Sequence, residues 1–134
     1  MKAILDTCPW VALIDRSESM HDNCVRWFRD YSGKLYSTEA VLTEVLYLLS
    51  FSVKAQTAAL DFVLKSVVEL IPASGESLKK VRVLMKKYSD LPMDYADATI
   101  VCLAMDTGIQ NIITLDKRDF SIYRIRNQPF VIMP

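Results

Sequence analysis

The sequence predicts an α/β protein, a three-layer α/β/α sandwich in which helices cover both faces of a central, mostly parallel sheet. Short apolar runs alternate along the chain with longer segments of helical periodicity, as in proteins built on parallel strands. The 134 residues include only three glycines and five prolines, so no flexible linker divides them. We therefore expect a single domain over residues 1–134, with its functional crevice beyond the carboxyl ends of the strands.

The first half of the chain begins with a strand and a helix. Ala3-Ile4-Leu5 is an apolar run that ends at Asp6, as in a buried strand, and Pro9 suits the first turn of a helix. The same signals then predict a helix capped by Ser17 or Ser19 and ended by Gly33, a strand at Leu35-Tyr36, a helix opened by Ser37 or Thr38, a helix over Lys54 to Lys65, and a strand over Val67 to Ile71.

The second half of the chain predicts two helices and two strands. These are a helix after Ser74, a helix from Met93 to about Thr107 closed by Gly108, a strand over Ile112 to Leu115 that ends at Asp116, and a strand over Phe130 to Met133. The helix after Ser74 separates an apolar side from a lysine-rich side, and we interpret the lysine-rich side as a solvated face.

Composition limits the function and the compartment. Sixteen basic residues balance sixteen acidic ones, which argues against a protein that coats nucleic acid by bulk charge. Cys8, Cys24 and Cys102 lack metal-site spacing and are odd in number, as expected in a reducing cytoplasm. No run approaches the roughly 20 apolar residues of a membrane span. We expect a cytoplasmic protein without a membrane segment.

Four acidic positions stand out by their surroundings. Asp6 and Asp116 follow predicted strands, so they share one edge of the sheet if those strands are neighbours; each alone is also an ordinary turn or cap residue. Glu44 interrupts a strongly apolar helix, where it is either paired or on an exposed stripe. Asp97 lies among apolar residues near a helix start, where it and Asp94 also suit the helix dipole.

A cluster of carboxylates repels itself unless a cation neutralises it. Oxygen ligands without histidine or cysteine select Mg²⁺ or Mn²⁺, ions that also bind phosphate oxygens. Such an ion activates water and stabilises an in-line displacement at phosphorus. The chemistry that these acids predict is therefore phosphodiester hydrolysis.

Taken together, four stretches resemble a known family. They are ILDTCPWVALID, STEAVLTEVLYLL, LPMDYADATIVCLA and IITLDKRDF, and they span nearly the whole chain. In order and spacing they resemble the PIN-domain family, in particular its small members typified by the VapC toxins of toxin–antitoxin pairs. The resemblance implies a Rossmann-like fold and a ribonuclease that depends on Mg²⁺ or Mn²⁺. It also implies a homodimer and a small antitoxin partner.

The resemblance also assigns roles to individual residues. It implies catalytic roles for Asp6, Glu44 and Asp97, and a hydrogen bond within the site for Thr7. The fourth catalytic acid falls in TLDKRDF, where Asp116 and Asp119 both qualify; we favour Asp116 because it follows the predicted strand. The metal ligands implied are Asp6, Asp94, Asp97, Asp116 and Asp119.

Two further expectations concern binding. A basic group follows the last acids and either holds the RNA backbone or is a solvated loop: Lys117, Arg118, Arg124 and Arg126. We expect exposed apolar residues, among them Trp10, Trp27 and Phe28, to support a two-fold dimer. The alternatives to a toxin nuclease are a non-catalytic interaction protein that keeps the fold and a housekeeping RNA-processing nuclease.

Overall fold

The computed structural model describes residues 1–134 and is built on a five-stranded sheet whose four pairings are all parallel. The strands are β1 (Lys2–Leu5), β2 (Lys34–Thr38), β3 (Val68–Ile71), β4 (Asn111–Ile113) and β7 (Val131–Met133), in the order β3-β2-β1-β4-β7. A separate hairpin pairs β5 (Arg124–Ile125) with β6 (Gln128–Pro129). The predicted fold class is confirmed.

Seven helices connect the strands. They are α1 (Thr7–Ile14), α2 (His21–Asp30), α3 (Glu39–Leu48), α4 (Val53–Leu64), α5 (Gly75–Lys87), α6 (Tyr95–Thr107) and α7 (Lys117–Ile122). The first four pack against one another, and α5 packs on α6. Because parallel connections are right-handed, α1 to α4 cover one face of the sheet and α5 to α7 the other.

The order of the strands reverses at β1, and this reversal locates the crevice. The chain runs from β1 to β2 and β3 on one side, then returns to β4 on the other side. Ile4 of β1 therefore pairs with Tyr36 of β2 and with Ile112 of β4. At such a reversal the helices on either side diverge, which opens a crevice beyond the carboxyl ends of β1 and β4.

The core is formed by the central strands and the helices on both faces. Ala3, Ile4 and Leu5 are fully buried, as is expected of a strand covered on both sides. Helix α6 is buried over most of its length, and its first turns lie beside the end of β2, where the Thr38 and Thr99 hydroxyls are 2.8 Å apart; because β1 and β2 are parallel, this is also the edge at which β1 ends. Asp97 is thereby carried into the crevice by a helix that the core holds rigidly.

Most helix boundaries agree with the sequence signals. Thr38 and Ser74 accept hydrogen bonds from backbone N–H groups in the first turns of α3 and α5, and Asp94 does so for α6. Gly108 ends α6 in the left-handed conformation, with φ 76°. These caps fix where α3 and α6 begin, and both helices carry candidate site residues.

The predicted limits of α2 were wrong at both ends. Neither Ser17 nor Ser19 caps it: the helix begins after Met20 without a side-chain cap, and the Ser17 hydroxyl donates to Asp15 instead. The helix ends before Gly33, which serves a different purpose. A Cβ there would lie 2.2 Å from the Met1 carbonyl oxygen, so the residue is small because two backbone segments meet.

The strand before Asp116 was predicted two residues too long. β4 ends at Ile113, because the Thr114 side chain accepts a hydrogen bond from the Asp116 backbone N–H and turns the chain. Asp116 is therefore the N-cap of α7 and not the last residue of a strand. Helix α7 and the hairpin after it were not predicted, since both are short.

The apolar residues expected at the surface also needed correction. Trp10 is fully buried, and Trp27 and Phe28 are half-buried against the core. Trp10 lies in α1, whose buried side faces the sheet, so its ring fills the core. Other large apolar side chains are exposed, and one group of them lies around the α3–α4 connection: Tyr47, Leu48, Phe51 and Val53. The longest helices, α5 and α6, have 13 residues each, and no helix could span a membrane.

Candidate active site

Asp6 lies where β1 ends and α1 begins, and only 7% of it is exposed. The Thr114 hydroxyl donates a hydrogen bond of 2.7 Å to its Oδ2 atom. Burial raises the pKa of Asp6 to about 6, and the negative charges of Asp116 and Glu44 raise it by smaller amounts. The side chain of Thr114 and the backbone of Thr7 act in the opposite direction, because they stabilise the ionised carboxylate. A buried acid with a pKa this close to neutrality indicates a site that gains from a bound cation.

Glu44 is half-buried on α3 and is held by a residue of α1. The Thr7 hydroxyl donates to Glu44 Oε2 at 3.0 Å, across 37 residues of sequence. Of the two interpretations of Glu44, the paired one agrees with this contact. Thr7 makes the hydrogen bond within the site that the resemblance implied.

Asp97 lies in the first turn of α6. Its backbone N–H donates to Asp94 Oδ1 at 2.8 Å, so Asp94 acts as the helix cap. The Tyr123 hydroxyl donates to Asp97 Oδ2 at 3.1 Å. Burial, followed by the charges of Asp94 and Asp6, raises the pKa of Asp97 to about 7. Burial and the Asp97 charge also raise the pKa of Tyr123, so the phenol remains a donor.

Asp116 and Asp119 lie at the start of α7, where Asp116 Oδ1 accepts from the Asp119 backbone N–H at 3.1 Å. One carboxylate oxygen each from Asp97, Asp116 and Asp119 lie within 4.8 Å of one another. We call these three residues the acidic trio. The burial of Asp119 and the charge of Asp116 raise the pKa of Asp119. The trio includes both acids between which the sequence could not decide.

Asp6 and Glu44 lie beside the trio and are not part of it. The charges still interact, because Asp116 raises the pKa of both Asp6 and Asp97. Cys8 follows on α1 and reaches the surface; partial burial of its thiol and then the nearby Asp6 charge raise its pKa to about 11, so the thiol is protonated at neutral pH. The crevice is thus lined by carboxylates, with no histidine and no thiolate to compete for a metal ion.

The basic residues near the acids differ in exposure and in the contacts that their side chains already make. Lys117 and Arg118 are exposed in the first turn of α7, beside the trio. Arg124 Nη1 donates to the carbonyl oxygens of residues 121, 122 and 123, so this nitrogen caps the end of α7. Arg126 lies in the turn of the hairpin and acts electrostatically on Lys80 of α5, which pairs with Asp106 in the last turn of α6.

Sequence reasoning missed two side chains that hold the acids, Thr114 and Tyr123. A signal for Thr114 was available, since a hydroxyl two residues before Asp116 at a strand end faces the same crevice. No local signal identified Tyr123, which lies in the stretch SIYRIR and meets Asp97 only through the fold.

Comparison with known proteins agrees with this geometry. The family model of the PIN domain matches residues 3–126, nearly the entire chain. The chain belongs to the PIN-domain family. A curated relative, ribonuclease VapC26 of Mycobacterium tuberculosis (strain ATCC 25618 / H37Rv), is 28% identical over 134 residues, covering 98% of this chain and 99% of the relative.

Two solved structures share the fold. The crystal structure of VapC20 from Mycobacterium tuberculosis, a Sarcin-Ricin loop cleaving toxin, aligns with a TM-score of 0.75 at 21% identity, over 82% of this chain and 86% of that chain. VapBC2 from Rickettsia felis, bound to a DNA fragment from their promoter, aligns with a TM-score of 0.68 at 20% identity, over the full length of both chains. At these identities the two structures show a shared fold.

Proposed function

We propose that this PIN-domain chain is a metal-dependent endoribonuclease and the toxin of a toxin–antitoxin pair. The observation that carries the proposal is the convergence of acids from four chain segments at one sheet edge, with the acidic trio within 4.8 Å. Burial raises the pKa values of Asp6 and Asp97, and carboxylates perturbed in this way cluster at catalytic sites more than at binding surfaces. The relative VapC26 is a ribonuclease and VapC20 is a toxin that cleaves the Sarcin-Ricin loop, and both support RNA as the substrate.

The donor set fits Mg²⁺ or Mn²⁺. The three carboxylate oxygens of the trio lie within 4.8 Å of one another, close enough that Asp97, Asp116 and Asp119 would hold one ion together. We assign Asp97, Asp116 and Asp119 as direct ligands, and Asp6 and Asp94 as acids that bind the ion directly or through water. An all-oxygen set favours these hard ions over zinc. When bound, the ion would stabilise charge on the phosphoryl group and activate the attacking water.

The remaining residues would position these acids and the substrate. Thr114 holds Asp6, and Thr7 holds Glu44, so both carboxylates keep one orientation in the crevice. Lys117 and Arg118 are free to contact RNA phosphates beside the trio. Arg124 would contribute through its other guanidinium nitrogens, since Nη1 is engaged with carbonyl oxygens.

The partners follow from the same proposal. We propose one domain that acts in the cytoplasm and forms a homodimer. The Rickettsia felis structure is that of a VapBC2 complex, and this supports a small antitoxin as the protein partner here.

The proposal is tested by RNA cleavage with purified protein. Wild-type protein should cleave RNA in Mg²⁺ or Mn²⁺, and EDTA should stop it. Asp97→Asn should lower the rate by orders of magnitude because it removes a charge that the metal requires. Lys86→Ala, on the exposed lysine face of α5, is the control and should retain the wild-type rate. Equal residual cleavage by wild-type protein and Asp97→Asn would mean that the activity comes from a contaminant. The nuclease proposal would then be refuted in favour of a non-catalytic interaction protein.

A further inference from the structure

Tyr123 connects the two helices that form the acidic trio. It follows α7, which carries Asp116 and Asp119, and its hydroxyl donates to Asp97 on α6 at 3.1 Å. The residue is fully buried, and Asp97 is the one hydrogen-bond partner of its hydroxyl. The contact therefore links the segments whose separation sets the distances within the trio.

An aromatic cluster holds the ring of Tyr123 in place. The Tyr88 ring lies edge-on to it, with centroids 5.0 Å apart, and the Phe120 ring does the same at 5.1 Å. Phe120 packs in turn against Phe130 in a third edge-on pair at 5.4 Å. Edge-to-face pairs prefer this geometry, so the ring has little freedom to turn. A hydroxyl on an immobile ring is a donor with a fixed direction.

The direction of that donor matters for Asp97. A carboxylate on a helix surface changes rotamer easily, and each orientation places its two oxygens differently. The hydrogen bond to Oδ2 leaves Oδ1 without a protein donor in the structure and holds the carboxylate plane. Ligands that are oriented in advance bind a metal ion more tightly, because less side-chain freedom is lost on binding.

We propose that Tyr123 is a positioning residue that aligns Asp97 for the divalent cation, an inference that rests on the proposed metal-dependent function. Loss of such a supporting hydrogen bond typically weakens metal binding about 10- to 100-fold. The Tyr123 hydroxyl thus serves cation affinity, while the ring that carries it serves the fold.

The test compares two variants that each remove one hydroxyl from the same aromatic cluster. Tyr123→Phe removes the donor to Asp97, and Tyr88→Phe removes a hydroxyl that accepts from the Arg124 backbone N–H. Binding of Mn²⁺ is measured by electron paramagnetic resonance on metal-free protein, without RNA. We expect about a 10-fold loss of affinity in Tyr123→Phe and none in Tyr88→Phe. Excess Mn²⁺ should restore RNA cleavage by Tyr123→Phe to the wild-type rate.

The possible failures are distinguishable. Wild-type protein that binds no Mn²⁺ overturns the metal site and this inference with it. Equal affinities in wild-type protein and Tyr123→Phe overturn the positioning role alone, as does an equal loss in both variants. Thermal melting in EDTA tests whether a loss of Mn²⁺ affinity in Tyr123→Phe comes from a damaged fold. If Tyr123→Phe is unfolded without metal, the hydroxyl serves the fold and the inference is wrong.

Discussion

Asp6→Asn should stabilise the metal-free protein at neutral pH. Burial raises the pKa of Asp6 from its ordinary value near 3.8 to about 6. At about 1.4 kcal/mol for each pKa unit, the ionised carboxylate costs the folded state about 3 kcal/mol. Asparagine carries no charge and fits the same space, but the hydrogen bond from the Thr114 hydroxyl to a neutral oxygen is weaker than to a carboxylate, a loss of about 1–1.5 kcal/mol. The net gain is about 1–2 kcal/mol.

The gain should depend on pH in a defined direction. Because the folded-state pKa lies above the unfolded-state value, the folded protein retains a proton between about pH 4 and 6 that the unfolded chain has released. The free energy of unfolding of wild-type protein therefore falls as pH rises through this window. At pH 4.5 the cost of Asp6 shrinks to about 1 kcal/mol, so the gain from Asp6→Asn should vanish.

Urea denaturation in EDTA at pH 7.5 and at pH 4.5 measures both values. Asp90→Asn is the matched control, since Asp90 is exposed and makes no ion pair or side-chain hydrogen bond. It should have no effect at either pH. A destabilisation by Asp6→Asn of equal size at both pH values would refute the argument, because the burial of charge would then not be the dominant effect. Added Mn²⁺ should favour wild-type protein and reverse the order.

Three further outcomes are expected. Thr114→Val removes the hydroxyl donor to Asp6, so the pKa of Asp6 should rise further; nuclear magnetic resonance titration of metal-free protein checks this, and an unchanged pKa would contradict it. Gly33→Ala should destabilise the fold by about 2 kcal/mol or more, because the added Cβ meets the Met1 carbonyl oxygen. Urea denaturation measures the change, and an unchanged free energy of unfolding would contradict the prediction. Light scattering at micromolar concentration should give a dimer mass, and Phe51→Ser, at an exposed apolar position, should weaken the dimer; a monomeric wild type would refute it.

Much of the fold could be predicted from local patterns. The apolar run at Ala3 to Leu5 is short and uninterrupted, as is typical of a buried strand, and Asp6 follows the strand as predicted. The same logic failed at Asp116. Thr114 and Leu115 have the composition of strand residues, but the Thr114 hydroxyl forms hydrogen bonds with the Asp6 carboxylate and the Asp116 backbone N–H. These bonds turn the chain away from the strand, and the one to Asp6 could not be predicted from the local sequence because Asp6 lies in a distant segment.

The contacts that hold the acids were harder to predict because they join distant segments. Tyr123 and Asp97 lie 26 residues apart, and Thr7 and Glu44 lie 37 apart. Periodicity assigns a residue to a face of its own helix or strand and says nothing about what another segment presents to that face. Asp6, Glu44 and Asp97 were proposed from the sequence because they stand out against apolar neighbours, whereas nothing in the mixed stretch SIYRIR distinguishes Tyr123.

The N-termini of the helices that carry the acids offset part of the repulsion between the carboxylates. Asp6, Asp94 and Asp116 are the N-caps of α1, α6 and α7, so three helix N-termini approach the same crevice. Each N-terminus stabilises a nearby carboxylate by about 0.3–1 kcal/mol, rising to about 2 kcal/mol where it is partly buried. Burial of Asp6 alone costs more than one such contribution, and the pKa values of Asp6 and Asp97 remain raised in spite of the helix termini. The metal-free crevice is therefore held together by the rest of the fold, and a bound divalent cation would supply the stabilisation that the helix termini leave missing.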